Sequence, residues 1–83
     1  MKPQYEPKTE QQHLGYLAEE SGEVLAAVGK SLRWGLDSVN PELPVGQREN
    51  NASWLWREMH DLEGAIQRMA AWLRANGYPE RKP

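Results

Sequence analysis

The chain has 83 residues, 12 acidic and 10 basic, with a formal net charge of −2 and no cysteine. That length gives one small domain, residues 1–83, which buries only about 60–65% of its unfolded surface, so its own core should be thin and partner subunits are expected. The composition excludes a disulfide framework and a thiolate metal site, offers no apolar run of about 18 residues to cross a membrane, and lacks the basic footprint of a protein that binds nucleic acid polymers.

The segment Met1-Lys2-Pro3-Gln4-Tyr5-Glu6-Pro7 lacks the apolar stretch of a signal peptide, so the cytoplasm is the expected compartment. Helix one is expected over about residues 9–34. Thr9 can cap its first turn while Gln12 reaches back, a capping-box pattern, and Gly35 should end it. Leu14, Leu17, Val24, Leu25, Val28 and Leu32 recur at three and four, the period of a helix with one buried stripe. Residues 35–50 carry Pro41, Pro44 and Gly46 with no sustained period, which predicts a loop with at most one short helical turn. Its length marks it as a candidate lid or partner contact. Helix two, about 51–76, is capped by Asn50 or Asn51 and runs through Trp54, Leu55, Met59, Leu62, Ile66, Met69 and Leu73 to an Asn76-Gly77 stop, with a short tail beyond.

Two acidic pairs stand out, Glu20 with Glu23 and Glu58 with Asp61, each spaced three residues apart on one helical face. Several carboxylate oxygens gathered this way suit a hard divalent cation. Spacing alone decides nothing, because random placement of the acids yields about two such pairs. Position on the wheel is more informative. At about 100° per residue, Glu58 falls at the edge of helix two's apolar stripe beside Leu55 and Leu62, with Asp61 a step further out. Glu20 likewise flanks Leu17 and Val24, whereas Glu19 and Glu23 lie further round, toward Lys30. A half-buried carboxylate is either paired or metal-bound, because a lone desolvated charge costs several kcal/mol. Two readings follow: a metal site, or salt bridges to Lys30, Arg33, Arg57 or Arg68.

The surrounding text, Leu17-Ala18-Glu19-Glu20-Ser21-Gly22-Glu23-Val24, then Lys30-Ser31-Leu32-Arg33-Trp34-Gly35-Leu36-Asp37 and Arg57-Glu58-Met59-His60-Asp61-Leu62, resembles the MazG-like branch of the all-α nucleoside triphosphate pyrophosphohydrolases, most of all the short versions carried by bacteriophages. That family is marked by EExxE on one helix and ExxD on the next, and both halves occur here in order. The resemblance covers roughly residues 13–70. It implies an all-α fold in which two long antiparallel helices complete a four-helix bundle by forming a homodimer or homotetramer.

The resemblance also implies roles for particular residues. Glu20, Glu23, Glu58 and Asp61 match the family's Mg²⁺ ligands, with Mn²⁺ as the alternative ion. Glu19 matches the first glutamate of the motif and would orient a ligand or a water from behind those four. Lys30 and Arg33 become the phosphate contacts. Apart from the resemblance, the four tryptophans are read first as core or interface packing, with Trp34, beside Arg33 at the helix end, the candidate to stack on a base. The implied reaction is hydrolysis of a nucleoside triphosphate between the α and β phosphates, giving nucleoside monophosphate and pyrophosphate, in the host cytoplasm if the chain is phage-encoded.

Other features bear on this expectation. The connection between Glu23 and Glu58 is longer than in compact members of the family, and few basic residues follow helix two, so either substrate contacts come from a second subunit or activity is weak or lost. Gly15, Gly22 and Gly29 recur every seven residues, and glycine inside a helix costs roughly 1 kcal/mol relative to alanine, which suggests close approach by another helix. His13 and His60 are read as surface residues. The competing function is a noncatalytic helical interaction or nucleotide-binding regulatory protein that keeps the scaffold and uses its acids in salt bridges.

Overall fold

The computed structural model describes residues 2–81; the end of the short tail expected after helix two lies outside them. Two helices dominate the chain, α1 over Glu10–Trp34 and α2 over Asn51–Ala75, packed against each other as an antiparallel pair. The fold is all-α. Thr9 accepts from the Gln12 backbone N–H at 3.1 Å while the Gln12 side chain accepts from the Thr9 N–H, so the capping box is complete. Asn50 rather than Asn51 caps α2, its side chain accepting from Ser53 N–H at 2.8 Å. Positive φ at Gly35 (93°) and Gly77 (88°) turns the chain out of each helix, a conformation glycine adopts without a Cβ clash.

The freed side chain of Asn51 locks the helix ends together. Its Nδ2 donates to the carbonyl of Gly35, the residue that ends α1, at 2.9 Å and to that of Lys30 at 3.4 Å. The connecting segment returns along itself through one antiparallel bridge, Val39 to Asn50, and contains a single 3-10 turn, Val45–Gln47. Arg48 braces it from inside, donating to the carbonyls of Leu43 and Pro41, both at 2.9 Å.

The molecule is a layer one helix thick. Its Cα extents are 48 × 35 × 15 Å and its radius of gyration is 16.0 Å, where a globular chain of this length has about 12 Å. Such a layer encloses very little. Ala27, Ala65 and Met69 are the buried apolar residues among those described, and no large side chain is fully buried.

The single buried stripe expected on α1 divides in two. The line that faces α2 runs through His13, Tyr16, Glu20, Ala27 and Ser31, with Leu17, Val24 and Val28 half-buried along its flank. Leu14, Leu25 and Leu32 point out of the layer, Leu32 with 84% of its surface exposed. His13 is therefore a buried residue, contrary to the surface position inferred from sequence, and its ring lies 6.3 Å from that of Trp72. The wheel had been centred on the leucines, whereas the helix contact follows small and aromatic side chains. On α2, Glu58, Ala65 and Met69 face inward while Met59 and Ile66 are exposed. On the wheel Leu14, Leu25 and Leu32 fall within about 20° of one another, and Met59 with Ile66 likewise. In an antiparallel pair these two lines lie on one side of the layer. Glu23 and Asp61 project from the other.

Candidate metal centre

Midway along the pair, Glu20 and Glu23 of α1 meet Glu58 and Asp61 of α2. One carboxylate oxygen from each can be chosen so that all four lie within 4.8 Å of one another. The spacing within each helix and the antiparallel register together produce this convergence, since each pair offers two consecutive turns of one face. Glu58 and Glu20 form the floor, 5% and 8% exposed, while Glu23 is half-buried and Asp61 open to solvent at the rim. Glu19 is exposed and stands outside the group of four.

Both floor glutamates carry an aromatic residue one turn earlier. Trp54 Nε1–H donates to Glu58 Oε1 at 3.2 Å, and Tyr16 precedes Glu20 by the same four residues. Burial, followed by the Glu20 charge, raises the Tyr16 hydroxyl above its ordinary pKa. Arg57 Nη1 also reaches Glu58 Oε1, at 3.1 Å, and the Arg57 guanidinium makes an ion pair with Glu49. Glu58 Oε2 and Glu20 Oε2 are buried with no hydrogen-bond partner. An unpartnered buried carboxylate oxygen forfeits its hydration without replacement, so two of them side by side mark a place for a cation or a proton.

Protons show the same strain among the charges. Glu23 is pushed up to about 7, first by sharing a hydrogen bond with Glu58, then by burial and by the neighbouring Glu20 carboxylate. Glu20 is also raised, chiefly by burial and further by the charges of Asp61 and Glu58. These raised values mean that negative charge on Glu20 and Glu23 is disfavoured without a further compensating charge. The donor set is all oxygen, without imidazole or thiolate, which suits Mg²⁺ or Mn²⁺ better than softer ions.

Of the basic residues proposed as salt-bridge partners, Arg57 alone pairs with one of the four acids among the described residues. Arg33 lies over the Trp34 ring, 4.9 Å from its centroid, and Arg68 over Tyr16 at 5.9 Å. Lys30 and Trp34 line a cavity of about 770 Å³ between the end of α1, the connecting segment and the start of α2, together with Trp54, Arg57 and Glu49. The cavity adjoins the acids, because Trp54 and Arg57 belong to its wall and both bond Glu58. Arg33 is not among its lining residues.

Sequence reasoning missed three participants: Tyr16, Trp54 in its role as a donor to Glu58, and Arg57 as more than a generic salt-bridge partner. A signal for the first two was present, an aromatic residue four before each inward glutamate. Comparison with protein-family models, with curated proteins and with solved structures returned no match.

Proposed function

We propose that this protein is a Mg²⁺-dependent nucleoside triphosphate pyrophosphohydrolase of the MazG-like kind, cleaving between the α and β phosphates. The observation that carries the reading is the pair of buried, unpartnered oxygens on Glu20 and Glu58 inside a converging group of four carboxylates. Glu20, Glu23, Glu58 and Asp61 would hold the metal, with Mn²⁺ able to replace Mg²⁺. Bound there, the ion would supply Lewis-acid polarisation of the phosphate, a more acidic water and shielding of the polyphosphate charge.

The chain's own residues have separable tasks. Trp54 would fix the rotamer of Glu58 by donating its indole N–H to Oε1, leaving Oε2 unpartnered. Glu23, whose pKa is raised to about 7 in the metal-free site, would give up its proton as a cation binds. Glu19 stands behind the four and adds negative charge toward Glu20. Lys30 in the cavity wall offers a cation to the polyphosphate, and Trp34 offers a flat face to a base, with Arg33 stacked on its ring.

A homo-oligomer belongs to the same proposal. Leu14, Leu25, Leu32, Met59 and Ile66 are exposed on the side of the layer away from the acids, and a second copy would cover them while leaving the carboxylates accessible. Adding a Cβ at Gly15, Gly22 or Gly29 meets nothing within the protomer, so any close approach at those glycines comes from another chain.

The Arg57 to Glu58 ion pair is the one observation that favours the competing reading, a noncatalytic scaffold whose acids serve salt bridges. Pyrophosphate release from a panel of ribonucleoside and deoxynucleoside triphosphates, with Mg²⁺ and with EDTA, decides between them. Metal-dependent release abolished by Glu23→Gln supports the enzyme. A folded protein that turns over no triphosphate favours the scaffold.

A further inference from the structure

Arg57 occupies an unusual position, half-exposed and bonded to two carboxylates that belong to different parts of the molecule. One is Glu49 of the connecting segment and the other is Glu58 of the acidic group. Hydrogen bonding to Glu49 raises the guanidinium pKa further, so the side chain is a permanent cation. It lines the same cavity as Lys30, and it is the cation nearest the four acids.

Glu58 Oε1 already accepts from Trp54 Nε1–H at 3.2 Å and from Arg57 Nη1 at 3.1 Å. Arg57 therefore delivers positive charge to the carboxylate that a divalent cation would need, and the two cations compete for it. A cation held on the free Glu58 Oε2 would weaken the pair that Arg57 makes through Oε1 and leave Glu49 as its firmer partner. Its donors are then free to point along the cavity wall. A guanidinium is a planar fork matched to phosphate oxygens, and Arg57 stands in the cavity wall beside the acids that would hold the metal.

We infer that Arg57 is a phosphate-binding residue of the substrate site, held between Glu49 and Glu58 until divalent cation displaces it from Glu58. The inference rests on the metal-centre reading above and adds to it a residue and an order of events: metal first, then polyphosphate.

Mn²⁺ binding without nucleotide, and inorganic tripolyphosphate binding in saturating Mn²⁺, measure the two halves separately. Wild type, Arg57→Ala and Arg57→Lys are compared by titration calorimetry. Arg57→Ala should bind Mn²⁺ about threefold more tightly, because a competing cation is gone, yet bind tripolyphosphate about tenfold more weakly. Arg57→Lys, which keeps the charge and loses the fork, should leave Mn²⁺ affinity near wild type and weaken tripolyphosphate binding by a smaller factor. Wild type that binds Mn²⁺ while Arg57→Ala binds it no more tightly overturns the displacement. Tripolyphosphate binding that is unchanged in Arg57→Ala, or absent in wild type loaded with Mn²⁺, overturns the phosphate role while leaving the metal centre standing. Wild type that binds no Mn²⁺ overturns the metal centre and this role together.

Discussion

On one side of the helical layer, charged groups are buried; on the other, apolar groups are exposed. Glu20 and Glu58 are more than nine-tenths covered and each keeps an oxygen without a partner, while Leu25 and Leu32 are 69% and 84% exposed. Each arrangement costs free energy in an isolated protomer, and under the proposed function each would be relieved from outside, by a cation on the acidic side and by protein on the apolar side. Two packed helices have one shared seam, and this chain gives the centre of that seam to carboxylates. Leu14, Leu25 and Leu32, which the spacing had placed in it, are exposed instead.

The comparison breaks first at the acids. Glu58→Gln should reduce Mg²⁺-dependent pyrophosphate release by about a thousandfold or more, while metal-free melting by circular dichroism stays level or rises because repulsion among the carboxylates is relieved. Melting that falls steeply instead would mean that Glu58 serves its Arg57 ion pair as structure.

On the apolar side, Leu25→Glu or Leu32→Glu should convert the oligomer to monomer in sedimentation equilibrium and lower its melting temperature at a fixed protein concentration. Their exposure within the protomer means that neither substitution disturbs the seam between α1 and α2. An unchanged sedimentation mass would remove the apolar side from the assembly.

The two sides should also differ in their response to pH. The Glu23 pKa of about 7 in the folded chain lies above the ordinary carboxyl value of 4.5. A folded-state pKa that is raised means the folded protein holds the extra proton, so this contribution to stability is full below 4.5 and disappears as pH rises through about 7. Metal-free protein should therefore melt at lower temperature at pH 8 than at pH 5, and millimolar Mg²⁺ should reverse the difference. The charge swap on the apolar side should leave that pH profile unaltered. A metal-free melting temperature that rises between pH 5 and 8 would contradict the assignment of Glu23.

The smallest effect is local. Thr9→Ala removes the cap of α1 and should cost about 1 kcal/mol in chemical denaturation, without altering metal affinity. Because Thr9 is remote from the acids, a change in Mn²⁺ binding would show that the seam responds as a unit.

The helices were legible in sequence because their boundaries depend on local chemistry: Thr9 with Gln12 at one start, Asn50 at the other, and glycines just beyond each end. The four acids were legible too, since three-residue spacing fixes their shared face before any tertiary contact forms. Which face of α1 meets α2 was not. Leucine spacing favoured Leu14, Leu25 and Leu32, yet contact runs through His13, Glu20 and Ala27, because packing two long helices around an acidic centre selects side chains by size and by partner as well as by hydrophobicity.

Sequence by itself thus determined two capped helices, their long connection and two acidic pairs, all properties of residues within a few positions of one another. Tertiary structure alone decided that the pairs converge, that Glu20 and Glu58 lose their water, that Trp54 and Arg57 attach to Glu58, and that the leucines turn outward. Each of those depends on the antiparallel register of α1 against α2, a distance between residues some forty positions apart that no local periodicity encodes.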